Sequence, residues 1–371
     1  MWRKCAAALS VLLMVGALGG AWPGAWAGGR NEAITGDVNG DGFQDRIYLG
    51  SVAPASCSVI VQYGTPSGAL RPPVAYTYLR PGLTGPETPC PDVGVAVNLV
   101  AADRVDDLVV AWFAGPPQTV PYNMLVLARN FMPSFGLVQA IFQPTLMNTA
   151  DFNGDHRPDV YSVTDQGQGF ETYLSLGNGT LAPGPERWCA VGLLEYQLKD
   201  FDRDGGMDVL ISFIEGCADH APGVVVVLDD GSYQLLQHDL TFQRRWSAKV
   251  AYVNGDAIPD VRTVAGGSGE IEYFIGVGDG TFVASPRAVA DRVTIVDNAR
   301  TNIPVLANDY VTTSATVTIA EPPRYGTARV TSSRTVVYSP AASHPATDRF
   351  VYRVTQDGRS STAAVNISFT D

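Results

Sequence analysis

Asp37-Val38-Asn39-Gly40-Asp41-Gly42-Phe43-Gln44-Asp45 decides how this chain is read. Side-chain oxygens fall at the first, third, fifth and ninth positions of the stretch, and Gly stands at the sixth. Oxygen ligands on alternate residues, a backbone carbonyl at the seventh and a residue free to turn sharply at the sixth open a calcium loop. The form recurs at Asp151-Phe152-Asn153-Gly154-Asp155-His156-Arg157-Pro158-Asp159 and at Asp200-Phe201-Asp202-Arg203-Asp204-Gly205-Gly206-Met207-Asp208. Two weaker copies exist. Residues 252–260 begin with Tyr252 and keep Asn254, Asp256 and Asp260, while residues 99–107 keep only Asp103 and Asp107. The five loops begin at 37, 99, 151, 200 and 252, and so regular a recurrence marks a repeat architecture.

A short β-rich run follows each loop, as in Asp159-Val160-Tyr161-Ser162-Val163 and Asp208-Val209-Leu210-Ile211-Ser212. A second run comes later in each unit, such as Val224–Leu228 or Ile271–Ile275. A turn dipeptide (Asn178-Gly179, Asp230-Gly231, Asp279-Gly280) then leads into a last strand. With the strand before the loop, each unit has four strands. Such units, repeated around an axis, predict an all-β chain whose main part is a β-propeller of five four-stranded blades. From about Ala288 the loops stop, and Thr, Val and Ser alternate in short strands with polar turns. That part predicts an Ig-like β-sandwich without the Cys…Trp…Cys signature.

The N-terminus reads as a cleavable signal peptide: Arg3 and Lys4, then apolar Ala6–Leu18, then Ala25-Trp26-Ala27. The expected domains are therefore residues 1–27 signal peptide, 28–287 propeller and 288–371 sandwich. No second apolar run of spanning length follows, so a secreted or surface-held product without membrane insertion is expected. The formal net charge is −12, and losing Arg3 and Lys4 with the leader would take it to −14. That balance speaks against nucleic acid or an anionic membrane and suits cations. Cys57, Cys90, Cys189 and Cys217 remain, an even set that points to disulfides outside the cell. Cys189 and Cys217 flank the fourth loop at nearly matched distances, so a hairpin about that loop would bring them face to face. Cys57 with Cys90 follows by elimination.

Aspartate loops followed by D-[VIL]-x-[VIL] and later by G-[DN]-G-[TS]-[FLY] resemble the FG-GAP/VCBS repeats of integrin-α-type propellers and of many secreted bacterial proteins. The resemblance covers roughly residues 30–287. It implies structural calcium, at about three sites, in the hairpin loop between the first two strands of a blade. By this resemblance Asp37, Asn39, Asp41 and Asp45 would ligate through side chains and Phe43 through its carbonyl. Asp151, Asn153, Asp155, Asp159 and the Arg157 carbonyl match in the third loop. Asp200, Asp202, Asp204, Asp208 and the Gly206 carbonyl match in the fourth. The fifth offers Asn254, Asp256 and Asp260. His156 and Ala257 replace the sixth-position Gly, and His accepts the left-handed backbone better than Ala. The tail, with Val305-Leu306-Ala307-Asn308-Asp309 and Asp348-Arg349-Phe350-Val351-Tyr352, is similar to cadherin-like Ig modules of bacterial surface proteins.

An Asx turn without metal is the plain alternative for any single loop. Three or four converging carboxylates repel one another, however, unless a cation lies among them. For catalysis, His156 sits inside a loop, His220 reads as a solvated loop residue, and no G-x-S-x-G motif occurs. Glu270 and Glu272 share a strand face and could form a carboxylate pair, but an exposed strand face is the better reading. Trp112, Trp188 and Trp246 fall out of register between units, which suits packing between blades rather than sugar stacking. The sequence thus supports a calcium-stabilised binding or adhesion protein with an extracellular protein or glycan as partner. A glycan-binding lectin, and a polysaccharide hydrolase or lyase on a propeller scaffold, are the alternatives.

Overall fold

The computed structural model describes residues 28–29, 32–53, 56–79, 90–100, 102–111, 124–128, 131–133, 144–164 and 169–370. The expected signal peptide and Trp112 lie outside the described residues. A strand β1 (Gly28–Gly29) precedes the first blade, which is β2 (Ile34–Gly36), β3 (Asp45–Ala53), β4 (Ser56–Gln62) and β5 (Val74–Leu79). The second blade is β6 (Val93–Val97), β7 (Asp107–Ala111), β8 (Met124–Ala128) and β9 (Met132–Pro133). The third is β10 (Leu146–Ala150), β11 (Asp159–Thr164), β12 (Gly169–Ser175) and β13 (Leu181–Trp188). The fourth is β14 (Ala190–Lys199), β15 (Asp208–Gly216), β16 (Gly223–Val227) and β17 (Tyr233–His238). The fifth is β18 (Trp246–Ala251), β19 (Asp260–Ala265), β20 (Ile271–Gly276) and β21 (Phe282–Ser285). Each blade is an antiparallel meander, and the main part of the chain is a propeller of these five sheets.

One pairing was not legible in the sequence. Gly28 and Gly29 run antiparallel to Met147 and Leu146, so β1 adds a fifth strand to the third blade beside its first strand.

Apolar cores lie between successive blades. Ile47, Val59 and Val61 of the first blade meet Ala96, Leu108 and Val110 of the second. Val95, Val109 and Val126 meet Met147, Val160 and Tyr173 of the third. Phe152, Tyr161 and Phe170 then pack with Val209, Ile211 and Val225, and Leu210, Val224 and Val226 with Trp246, Val261 and Phe274. Strands such as Gly223–Val227 are buried along their whole length, which is why they read as unbroken Val runs rather than alternating ones. Each fully buried Val or Leu contributes about 1.5–3 kcal/mol, so these shared cores hold neighbouring blades together.

The disulfides are Cys57–Cys90 and Cys189–Cys217. Ala190 pairs with Gly216, so the next residue outward on each strand is a cysteine facing its partner across the hairpin, as expected. Cys57–Cys90 ties β4 to the segment entering the second blade.

The tail forms a sandwich of two sheets. One holds β22 (Asp291–Val296), β24 (Thr316–Glu321), β27 (Thr347–Gln356) and β28 (Arg359–Thr370); the other holds β23 (Thr301–Ile303), β25 (Gly326–Val330) and β26 (Val336–Pro340). β22 runs parallel to the end of β28. Ile303, Val336, Tyr338, Phe350, Tyr352 and Val365 fill the space between the sheets.

The sandwich docks on the fifth blade. Arg287 and Tyr310 exchange backbone hydrogen bonds, and the Thr313 N–H donates to the Val253 carbonyl at 2.8 Å. Arg359 ion-pairs with both Glu270 and Glu272, and Glu270 also meets Arg244. This corrects the reading of Glu270 and Glu272 as an exposed strand face. They are the acidic half of an interdomain contact.

Candidate metal loops

The chain direction places all the aspartate loops at one end of the blades. The first strand of each blade enters its loop there, and the turn between the third and fourth strands returns to the same end.

Within a loop the first-position carboxylate gathers backbone donors. Asp37 accepts from the N–H groups of Gly40 at 2.7 Å, Asp41 at 3.1 Å and Gly42 at 2.7 Å. The third and fifth positions repeat two contacts in the first, third and fifth loops. Asn39, Asn153 and Asn254 each accept from the backbone N–H of the fifth residue and donate Nδ2 to its carboxylate. The fourth-position backbone is left-handed throughout, with φ of 76° at Gly40, 67° at Gly154, 69° at Arg203 and 88° at Gly255. At the sixth position Gly42 (84°) and Gly205 (104°) are left-handed, and His156 follows them at 65°. Ala257 does not, so the fifth loop turns differently at the residue where Ala is disfavoured.

The ninth-position carboxylate has a structural task that the spacing alone did not reveal. Asp45 accepts from the N–H of Val38 at 3.0 Å and of Gly64 at 2.8 Å. Asp159 does the same with Phe152 and Ser175, Asp208 with Phe201 and Asp229, and Asp260 with Val253 and Gly276. Each of these four aspartates is at most 1% exposed. Each therefore staples the start of its loop to the end of the third strand of the same blade. A carboxylate oxygen has lone pairs to spare, so the staple does not consume its capacity for a cation.

The loops differ in how far their acids converge. In the fourth, carboxylate oxygens of Asp200, Asp202 and Asp208 lie within 4.8 Å of one another, and so do those of Asp202, Asp204 and Asp229. The other loops form no such three-acid group among the described residues; in the first, third and fifth, Asn supplies the third-position oxygen. In the third loop Asp151 Oδ1 is buried with no hydrogen-bond partner, an orphaned acceptor on the first-position carboxylate. The second loop is apolar where the others are acidic, with Leu99 and Val105 buried. It packs on the first: the Asp106 N–H donates to the Asp37 carbonyl, and the Asp37 N–H donates to Asp106 Oδ2 at 2.8 Å. The Met207 N–H donates likewise to the Asp151 carbonyl, so the fourth loop rests on the third.

Burial and mutual repulsion push six of the acids in and beside these loops up. Asp159 rises to about 6 and Asp208 to about 7, in both through burial first, partly offset by the two N–H donors. Asp229 rises to about 6 through burial and the charges of Asp204 and Asp202. Asp45, Asp202 and Asp260 are raised with burial as the leading cause. A divalent cation would reverse each shift by favouring the charged forms. Hard oxygen donors, an orphaned oxygen in the third loop and converging carboxylates in the fourth all fit calcium. Sequence reading missed Asp229, because its approach depends on the register of β15 with β16, and Glu186, which enters from the neighbouring blade.

Comparison with known proteins agrees with this geometry. Residues 151–211 match the FG-GAP-like repeat and residues 284–370 the bacterial Ig domain. The propeller thus contains an FG-GAP-like stretch, and the tail matches a bacterial Ig domain. The matched repeat begins at the first residue of the third loop and ends within β15, so it spans two of the loops described above. No curated protein matches. Among solved structures, Drosophila Semaphorin 2a is similar over 91% of this chain and 76% of its own, at 10% identity and a TM-score of 0.23, a likeness too slight to bear on fold or function. FG-GAP-like repeats with an Ig domain point to an adhesion- or binding-type extracellular protein, a class that is typically not catalytic. The two disulfides fit an oxidising compartment. Among the described residues no helix is long and apolar enough to cross a membrane.

Proposed function

We propose that the chain is exported by its N-terminal leader and acts outside the cell as a calcium-stabilised binding protein for a protein or glycan. On this reading calcium is structural. It clamps the loop end of the blades and leaves the opposite end to meet the partner.

The observation that carries the binding role is the connection between β17 and β18, at the end away from the aspartate loops. Asp239 accepts from the N–H groups of Thr241, Gln243 and Arg244 and from the Thr241 hydroxyl, and these bonds hold its carboxyl down near 2. Around that anchor Leu240 is 64% and Phe242 57% exposed, and Phe242 takes a left-handed φ of 60°. A rigid loop that holds two large apolar side chains in water, one of them in an unfavourable backbone state, has the form of a contact site. A catalytic reading has less behind it. Glu270 and Glu272 are tied to Arg359, and His220 and His238 pair with Glu215 and Asp219 in the open.

The test is binding of the mature full chain to a glycan array and to intact cells, alongside Phe242→Ser. Retention of one glycan class supports the lectin form, and retention on cells alone supports a protein partner. Binding that Phe242→Ser leaves intact would remove this loop from the contact, and no retention on either surface would refute the binding role.

A further inference from the structure

The fourth blade differs from the third at one place, and the difference concerns charge. The residue whose N–H caps the ninth-position aspartate is Gly64 in the first blade, Ser175 in the third, Asp229 in the fourth and Gly276 in the fifth. Of these four blades, only the fourth puts a carboxylate there. In the third blade the corresponding space holds a cation supplied by the chain itself. The Arg157 guanidinium pairs with the fifth-position Asp155, reaches the Ser175 carbonyl and lies against Gly177. The fourth blade has Gly206 in place of Arg157, and a Cβ at Gly206 would stand 2.4 Å from Asp229 Oδ2 and 2.8 Å from the Phe152 carbonyl. No side chain can enter from the seventh position. The acids are therefore left facing one another: Asp204, the counterpart of Asp155, closes with Asp202 and Asp229 to within 4.8 Å.

A second observation comes from the neighbouring blade. Glu186 on β13 is 0% exposed, and neither of its carboxylate oxygens has a hydrogen bond of ordinary geometry, although the Val209 N–H lies near enough to favour the charged form. The charges that act on it are those of Asp208 and Asp229. A buried acid with no well-formed hydrogen bond, set near two more acids, is costly in its charged form unless positive charge is near.

We propose that the fourth loop holds two divalent cations. One lies among Asp200, Asp202 and Asp208, as in the general reading of these loops. The second lies among Asp202, Asp204 and Asp229, with Asp202 shared, where the guanidinium of Arg157 sits in the third blade. Glu186, on the neighbouring blade, adds negative charge near Asp208 and Asp229. The second ion fastens the turn after β16 to the loop before β15, and through Glu186 it draws the third and fourth blades together. The inference rests on the loops binding calcium at all, and the test separates the two claims.

Calcium bound by the mature full chain is counted by equilibrium dialysis for the wild type and for Asp229→Ser, which installs the third blade's residue and keeps the N–H that caps Asp208. The expected result is one equivalent fewer in the variant, with other equivalents retained. Equal counts in a folded variant would overturn the second ion while leaving the first reading standing. No calcium in the wild type would refute both. Should Asp229→Ser not fold, anomalous diffraction from wild-type crystals grown in calcium decides the matter: two resolved peaks in the fourth loop support the proposal, and a single peak there overturns it.

Discussion

Asp260 isolates one of the two tasks that these aspartates share. It is buried, it caps the N–H groups of Val253 and Gly276, and of the four loops stapled in this way its loop has the poorest ligand set. Asp260→Ala would leave two donors unpaired and is expected to cost about 2–4 kcal/mol in calcium and in chelator alike. Denaturant unfolding measures this, and a loss seen only in calcium would show that ligation, not stapling, is its task. Arg203 offers the opposite sign. It holds a φ of 69° at the fourth position, where the first, third and fifth loops have Gly, and its side chain is exposed. Arg203→Gly should stabilise by about 1 kcal/mol, since the left-handed backbone costs an L side chain roughly that much. A midpoint that does not rise would mean that Arg203 contributes contacts worth as much as the strain.

At the scale of a loop, the raised acids set a pH dependence whose sign follows from linkage. Asp159 and Asp208 titrate at about 6 and about 7 in the folded chain without metal, above the ordinary value of 3.8. The folded state then holds more protons than the unfolded one over that interval, so stability is full below about pH 4 and is lost as the pH rises through about 6–7. In chelator the melting temperature is expected to fall across this window, and in calcium the fall should vanish because the cation favours the charged forms. A flat profile in chelator would contradict the burial of these two carboxylates. Much of this element was legible beforehand. Oxygen spacing gave the loops, turn dipeptides gave the last hairpins, and Val-rich runs gave the buried strands. The ninth-position staple was hidden because it joins residues up to 21 apart in sequence, such as Asp208 and Asp229, through a ladder whose register the pattern does not fix. Glu186 was hidden for a stronger reason. It reaches the fourth loop's acids only because two blades pack, and no local pattern records that.

Across the whole molecule, the second loop rests on the first, the fourth on the third, and the sandwich on the fifth. Asp106 and Met207 donate backbone N–H groups to the loops before them, and Thr313 of the Ig domain donates in the same way to Val253 of the fifth loop. The Ig domain thus takes, beside the fifth blade, the contact that a following blade would make. Arg359 secures the junction through Glu270 and Glu272. These groups are partly exposed, so Arg359→Ala should cost about 1 kcal/mol and loosen the docking without unfolding either part. Faster proteolysis in the linker around Pro286–Ala290 would report it, and an unchanged cleavage rate would show that the backbone contacts suffice.

The claim on which the rest depends is that calcium neutralises the aspartate loops and so holds the blades. The most direct measurement is the melting temperature of the mature chain, with its metal content determined, in calcium and in chelator. Bound calcium and a clear drop in melting temperature on chelation are the expected result. A chain that carries no calcium and melts identically in both would contradict the claim.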